Sequence, residues 1–235
     1  IISFLQAMFL QGNDIFLLKP YAPKNDDEYV VSVYIWRHSF TRQHLTGIVQ
    51  RIVPNLLTDD VKKLNDKRFK EKMSVRLLLA KLLELTHDAV AYCVTGRPYL
   101  RFFPYEISMS HTADVYAVSI ANFRHGIDIE RWGEKALRVK KMFINAEEEA
   151  CLMPMLPYKT LEQNATLVWS AKEAVYKWKD RAGLSLKNDI LLKQSETRDI
   201  LEANVGKQHE KAFVNYKSYT NCILTCCGAR SFAIK

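Results

Sequence analysis

The segment Gly126–Glu130 (GIDIE) carries two carboxylates at a spacing that suits a metal ion. Side chains alternate between the two faces of a β-strand, so a strand here directs Asp128 and Glu130 to one face and the neighbouring isoleucines to the other. Taken alone, the pair also fits a solvated strand edge. The pattern therefore needs a partner elsewhere in the chain before it indicates chemistry.

A partner segment lies some forty residues later, at Trp169–Lys177 (WSAKEAVYK). Side chains four residues apart share one face of a helix, so a helix here aligns Trp169, Glu173 and Lys177. Glu173 and Lys177 alone also fit an ordinary surface ion pair. Combined with the first segment, they bring together three carboxylates and a lysine. Mg²⁺ prefers a few carboxylate oxygens and takes its remaining ligands from water and substrate phosphates, so the set predicts an open site for Mg²⁺ and a phosphate ester.

In this order the two segments resemble the signature of the 4'-phosphopantetheinyl transferases of the surfactin-synthetase-activating type. That pattern is roughly G-[IV]-D-[IV]-E followed by W-[ST]-x-K-E-[AS]-x-x-K, and the chain matches both parts without a gap. The resemblance covers about residues 67–186, and the first sixty residues lie outside it or match only weakly. Three more segments resemble elements of the family: Gly96–Leu100 (GRPYL), Ile107–Thr112 (ISMSHT) and Gly183–Leu186 (GLSL).

The resemblance implies an enzyme of the holo-[acyl-carrier-protein] synthase type. Such an enzyme transfers the 4'-phosphopantetheine arm of coenzyme A to a serine of an apo carrier protein and releases adenosine 3',5'-bisphosphate. It implies Mg²⁺ as cofactor, coenzyme A as co-substrate and an acidic carrier protein as partner. We expect a cytoplasmic monomer that binds neither nucleic acid nor membrane.

The resemblance also implies roles for individual residues. Asp128, Glu130 and Glu173 would hold Mg²⁺, and Lys177 would bind the pyrophosphate or the leaving phosphate. Glu173 and Lys177 are the expected catalytic residues, although the proton acceptor is either Glu173 or a metal-bound water. Residues expected to bind coenzyme A, besides Lys177, are Arg97, Ser110 and His111, with Lys67, Arg68 and Arg76 as candidates for its 3'-phosphate.

The predicted fold class is α+β. The order of strands and helices alone supports one or two α+β subdomains, and the resemblance implies two similar halves related by a pseudo-twofold with the active site between them. Residues 1–124 would recognise coenzyme A, and residues 125–235 would carry the metal-binding and catalytic motifs. Predicted strands are 29–36, 107–109, 116–122, 126–130 and two within 213–234; predicted helices are 58–85, 134–143, 146–153 and 161–181.

Composition excludes fewer candidate functions than the motifs do. The formal net charge of +8 favours polyanionic partners but does not choose among nucleic acid, membrane, coenzyme A and acidic proteins. A basic nucleic-acid-binding module and an inactive carrier-binding homologue therefore remain alternatives. The five cysteines favour reduced thiols over a disulfide framework, and neither a signal peptide nor a transmembrane helix is expected.

Overall fold

The computed structural model describes residues 3–19, 21, 29–230 and 232–234. We call residues up to 124 the first half and the residues from 125 the second half. In chain order, the first half contains β1 (Ser3–Gln11), β2 (Tyr29–Arg37), α1 (Arg42–Ile52), α2 (Asp59–Lys62), α3 (Asp66–Leu82), β3 (Val90–Tyr92), β4 (Pro98–Leu100), β5 (Glu106–Thr112) and β6 (Val115–Ala121). The second half contains β7 (His125–Arg131), α4 (Glu134–Arg138), α5 (Leu161–Lys179), β8 (Ile190–Gln194), β9 (Ile200–Val205), β10 (Glu210–Ser218), β11 (Cys222–Gly228) and β12 (Phe232–Ile234).

These elements form a mixed α+β fold with two five-stranded sheets. The first sheet has the order β12-β1-β2-β6-β5, and the second has the order β7-β11-β10-β9-β8. β3 and β4 pair only with each other among the described residues and form a separate hairpin. Because β12 pairs in parallel with β1, the last strand of the chain joins the first sheet, although the predicted boundary at 124/125 assigns it to the second half.

The apolar residues of the strands and helices form three hydrophobic clusters. One cluster lies between the first sheet and helices α1 and α3, and another lies between the second sheet and α5. The third lies between the sheets, where Val33 on β2 and Ala117 on β6 pack with Ile127, Ile129 and Leu224 of the second half. Strands β6 and β11 are therefore buried on both faces, which accounts for their nearly continuous apolar sequences.

Several predicted elements are confirmed, with shifts at their ends. Strands at 29–36 and 126–130 and the long helix at 161–181 are present as β2, β7 and α5. The helix predicted over 58–85 is divided, because Asn65 accepts a hydrogen bond from the Arg68 amide at 2.9 Å and begins α3 anew. The helix predicted over 134–143 ends at Arg138 and is followed by a 3₁₀ turn. In the helix predicted over 146–153, residues 148–152 form a π-helix. No helix in the described part of the chain has the length and hydropathy to cross a membrane.

A buried ion pair anchors α5 at the residue before Glu173. Lys172 is fully buried, and its Nζ donates to Glu148 Oε2 at 2.7 Å, to the carbonyl of Phe143 at 2.7 Å and to that of Leu186 at 2.9 Å. The ammonium thus joins the helix to the segments on both sides of it. Its contacts hold α5, and with it the adjacent Glu173, against these two segments.

We predict that Gly126→Ala destabilises the protein by about 1–3 kcal/mol, the usual cost of overpacking. A Cβ at Gly126 would lie 2.2 Å from the Ala174 carbonyl oxygen and 2.5 Å from the Trp178 nitrogen, so β7 and α5 would have to separate. Gly47→Ala is the control, because no atom lies within 4 Å of its added Cβ and alanine stabilises a helix interior by about 0.5–1 kcal/mol. Urea unfolding measures both changes, and equal stability of the two variants would refute the close packing.

We also predict that Lys172→Met costs about 3–5 kcal/mol, because it leaves the Glu148 carboxylate buried without its partner. Arg138→Met serves as the matched control, since Arg138 pairs with Glu134 on the exposed surface of α4. That change should stay within about 0.5 kcal/mol. The two free energies of unfolding are compared by denaturant titration, and a loss at Lys172 as small as that at Arg138 would contradict the anchoring role.

Candidate functional site

The two halves meet where the edge of β5 lies beside the edge of β7, and we call this contact the seam. Ser108 Oγ accepts a hydrogen bond from the Ile127 amide at 3.0 Å, and Ser110 Oγ accepts one from the Ile129 amide at 3.2 Å. Serine hydroxyls therefore occupy the places that backbone carbonyls would take in a continuous sheet. They satisfy buried amides that would otherwise be unpaired.

Asp128 lies on the seam with its side chain toward α5. Its Oδ1 accepts hydrogen bonds from Ser110 Oγ at 2.8 Å and from Lys177 Nζ at 2.9 Å. Lys177 also donates to the carbonyl of Ile127 at 2.9 Å. Asp128 Oδ2 is buried and has no hydrogen-bond partner within the described residues. One oxygen of this carboxylate is thus held in place, and the other is left with unused acceptor capacity.

Glu130 is held by one residue from each half of the chain. Its Oε2 accepts from Thr112 Oγ1 at 3.0 Å, and its Oε1 accepts from Trp169 Nε1 at 3.1 Å. The Trp169 ring packs edge-on against Phe143, with the ring centroids 5.0 Å apart. Helix α5 therefore contacts β7 through two side chains of one stripe, Trp169 on Glu130 and Lys177 on Asp128.

Glu173 lies on that same stripe, one helical turn from Trp169 and one from Lys177. Burial raises the pKa of the Glu173 carboxyl, and the charge of Asp128 raises it further, while Lys177 opposes the shift. Burial likewise raises the pKa of Glu130, again with help from Asp128. The charge of Asp128 therefore disfavours the charged forms of Glu130 and Glu173. Groups with such shifted pKa values are frequent at functional sites.

The three carboxylates fit a divalent cation by their chemistry. A hard cation would take up the free acceptor on Asp128 and stabilise the charged forms of Glu130 and Glu173, whose pKa values are raised by burial and by the charge of Asp128. Their arrangement is not a ready-made metal cluster, because no group of three or more His, Cys, Asp or Glu side chains among the described residues meets that geometry. The residue types of the donor set suit Mg²⁺, whereas the positions of their oxygens in this structure do not enclose an ion.

A cavity of about 600 Å³ opens beside these carboxylates, between the two halves. Its lining is strongly basic, with few acidic side chains among many apolar ones. Lys177 lines this cavity and also bonds to Asp128, so it stands between the cavity and the carboxylates. The cationic lining residues are Arg68, Lys72, Arg97, Lys177 and Arg181, and His111 also lines the cavity. Such a lining suits a ligand that carries several phosphates.

The structure separates the sequence-predicted coenzyme residues into two groups. Four of the seven, Arg68, Arg97, His111 and Lys177, line the cavity. The other three lie elsewhere. Ser110 is buried on the seam with its hydroxyl bonded to Asp128, Lys67 is 83% exposed beside Glu71, and Arg76 is 5% exposed and paired with Asp88.

His111 lines the cavity in its neutral form. Burial lowers the pKa of its imidazole, Glu71 opposes that shift, and Lys177 and Arg68 reinforce it. Glu71 Oε1 lies 3.8 Å from His111 Nδ1, and its Oε2 lies 3.0 Å from Arg68 Nη1. A single carboxylate therefore contacts two of the groups that face the cavity.

Sequence reasoning missed Lys72 and Arg181 at the cavity. Spacing could have indicated Lys72, which is four residues after Arg68 on α3, whereas Arg181 lies beyond the end of α5, where helical spacing does not apply. It also missed Tyr92, Thr95 and Asp180, which line the same cavity. Nothing in the local pattern of these three residues signals a ligand site.

Comparison with known proteins bears on the second half of the chain. Residues 124–227 match the family model of the 4'-phosphopantetheinyl transferase superfamily. The matched region contains β7 and α5, and with them all three carboxylates and Lys177. The α3 and β5 residues that line the cavity lie before it. A search of curated proteins found no match.

We predict that Glu173→Gln raises the melting temperature of the metal-free protein at neutral pH. A carboxyl whose pKa is raised by folding contributes stability below its unfolded pKa and loses it as the pH rises through its folded pKa. Glutamine keeps the shape of the side chain and removes that charge. Below about pH 4.3, the usual pKa of glutamate, the two proteins should converge.

Thermal unfolding in a chelator, at neutral and at acidic pH, measures this difference. Glu196→Gln is the control, because Glu196 is exposed on the turn between β8 and β9, and it should melt like the wild type. A wild type more stable than Glu173→Gln at neutral pH would show that the Glu173 charge is favourably paired.

Proposed function

We propose that the protein transfers the 4'-phosphopantetheine arm of coenzyme A to a serine of an apo carrier protein, with Mg²⁺ as cofactor. The proposal places it with the surfactin-synthetase-activating type of the superfamily that residues 124–227 match. One observation carries it. Lys177 lines the basic cavity and bonds to Asp128, so a site for a phosphorylated ligand adjoins three carboxylates.

Asp128, Glu130 and Glu173 are the residues that would hold Mg²⁺. When bound, the ion would neutralise charge on the pyrophosphate and help the leaving phosphate depart. Ser110 and Lys177 orient Asp128 through its Oδ1 and leave its Oδ2 available for the ion. Thr112 and Trp169 orient Glu130 through one hydrogen bond to each of its carboxylate oxygens. These contacts come from both halves of the chain, so their packing forms the site.

The reaction forms a bond from the carrier serine oxygen to the phosphorus that carries the pantetheine arm. It breaks the bond from that phosphorus to the bridging oxygen, which leaves with adenosine 3',5'-bisphosphate. Glu173 would accept the serine proton, and its raised pKa supports this role because it makes the carboxylate a stronger base than an exposed glutamate. Lys177 would stabilise the negative charge that develops on the phosphates.

The cavity would hold the nucleotide part of coenzyme A. Arg68, Lys72 and Arg181 supply positive charge there, and the neutral imidazole of His111 can donate one hydrogen bond. Apolar lining residues such as Val75 and Ile107 can contact the flat adenine ring. Arg76 would then support the cavity from behind through Asp88 rather than contact the 3'-phosphate.

We further propose an acidic carrier as partner and a cytoplasmic monomer as the working form. The net charge of +8 supports attraction of an acidic partner. The two halves already pack against each other through an apolar cluster between the sheets, so the site needs no second copy of the chain. All five cysteines are free thiols, which fits a reducing compartment.

We predict that Asp128→Asn lowers the transfer rate by at least about 100-fold, since a metal-binding carboxylate contributes several kcal/mol to such a reaction. The test incubates the purified chain with coenzyme A, Mg²⁺ and an apo carrier protein and follows the carrier by intact mass. Asp199→Asn is the matched control, because Asp199 lies before β9, outside the cavity lining, and should keep wild-type transfer.

The same assay separates the alternatives. Binding of coenzyme A without transfer by the wild type would indicate an inactive carrier-binding homologue. Binding of nucleic acid without binding of coenzyme A would indicate a nucleic-acid-binding module. Wild-type transfer by a folded Asp128→Asn would contradict the role given to the carboxylates.

A further inference from the structure

The hairpin of β3 and β4 forms one side of the cavity. Its residues Tyr92, Thr95 and Arg97 line the cavity, yet its strands pair with neither five-stranded sheet within the described residues. The base of the hairpin is anchored, because Val90 and Leu100 belong to the core of the first half. The turn between the strands includes Val94, which is fully exposed. Packing at the base of the hairpin therefore does not by itself fix the position of the turn between β3 and β4.

One carboxylate from the second half holds that turn. Asp180 follows the last residue of α5, and its side chain is 13% exposed. Asp180 Oδ1 accepts a hydrogen bond from Thr95 Oγ1, and Oδ2 lies 3.6 Å from Arg97 Nη1. Oδ2 also accepts from Arg124 Nη2 at 2.9 Å. We call these four residues the Asp180 cluster.

The Asp180 cluster joins three segments that are far apart in sequence. Thr95 and Arg97 belong to the hairpin, Arg124 to the connection between β6 and β7, and Asp180 to the end of α5. Arg97 also pairs with Glu106 on β5, so its guanidinium is held from two sides. The cluster thus connects the first half to the second at the cavity.

The backbone conformation at Asp180 indicates that its side chain has a role beyond ending helix α5. Asp180 has φ 51°, in the left-handed region that glycine occupies most readily at helix ends. Aspartate tolerates this region better than most residues. A glycine would satisfy the backbone equally well but could bind none of the three side chains of the cluster.

We propose that Asp180 is a positioning residue that holds the β3–β4 hairpin and Arg97 against the second half, so that the cavity is formed before its ligand binds. This inference rests on the proposed function, because the ligand is taken to be coenzyme A. A preformed cavity binds more tightly, since less freedom is lost when the ligand enters. The reacting carboxylates lie outside the cluster, so its loss affects binding rather than the chemical step.

The test uses Asp180→Asn and Asp180→Gly, both of which suit a left-handed backbone. The first measurement is hydrogen exchange of residues 88–103 without coenzyme A or metal. The second is steady-state transfer with coenzyme A as the varied substrate. We expect about 10-fold faster exchange of the hairpin amides, and a KM for coenzyme A raised about 10-fold with kcat changed less than about 2-fold.

Three further variants test whether the effect is specific to the contacts of Asp180. Asp199→Asn changes another aspartate with left-handed backbone (φ 59°) outside the cavity lining and should alter neither measurement. Thr95→Val removes one donor to Asp180 and should give a smaller change in the same direction. The double variant of Thr95→Val and Asp180→Gly should resemble Asp180→Gly alone, because the glycine already removes the contact that Thr95→Val removes.

Unchanged hairpin exchange in both Asp180 variants would overturn the proposal. An unchanged KM despite faster exchange would also overturn it, as would a lower KM, which would mean that Asp180 competes with the ligand for Arg97. A fall in kcat alone would place Asp180 in the chemistry instead. The exchange experiment needs no transfer, so it decides whether Asp180 holds the hairpin even if the transferase proposal fails.

Discussion

The pairing of buried amides at the seam is the constraint on which the rest of the site depends. The outer edge of β7 is buried against β5, and its amides at Ile127 and Ile129 must find acceptors there. Hydroxyls of Ser108 and Ser110 supply them. A hydroxyl accepts and donates at once, so Ser110 also donates to Asp128 Oδ1. One small side chain thereby joins the two halves and orients a carboxylate.

The charged forms of Glu130 and Glu173, packed beside Asp128 on one side of the seam, reduce the stability of the fold. Asp128 has a lysine partner and a serine donor, and Glu130 has two neutral donors. Glu173 lies between them with a pKa raised chiefly by burial. Such a concentration of charge is unfavourable unless a cation joins it. The buried Lys172 anchor and the close approach at Gly126 keep α5 against β7 despite this repulsion.

The features of the fold that follow from the short-range periodicity of strands and helices were predictable from the sequence. Period two along β7 correctly directs Asp128 and Glu130 to the face that meets α5, and the isoleucines to the cluster between the sheets. Period four along α5 correctly aligns Trp169 and Lys177 with those two carboxylates. Weaker local signals failed. β1 was not predicted as a strand, and the helix predicted over 58–85 continues across the break at Asn65.

The sequence by itself determined which residues share a strand face or a helix face, because those relations depend only on backbone geometry within a few residues. It also carried the motif resemblance that pointed to the superfamily matched by residues 124–227. Only the tertiary structure decided that Arg76 turns to Asp88 while Arg68 faces the cavity, and that Asp180 meets Thr95 across the halves. Contacts between residues 85 positions apart depend on how whole sheets and helices pack, which no local pattern encodes.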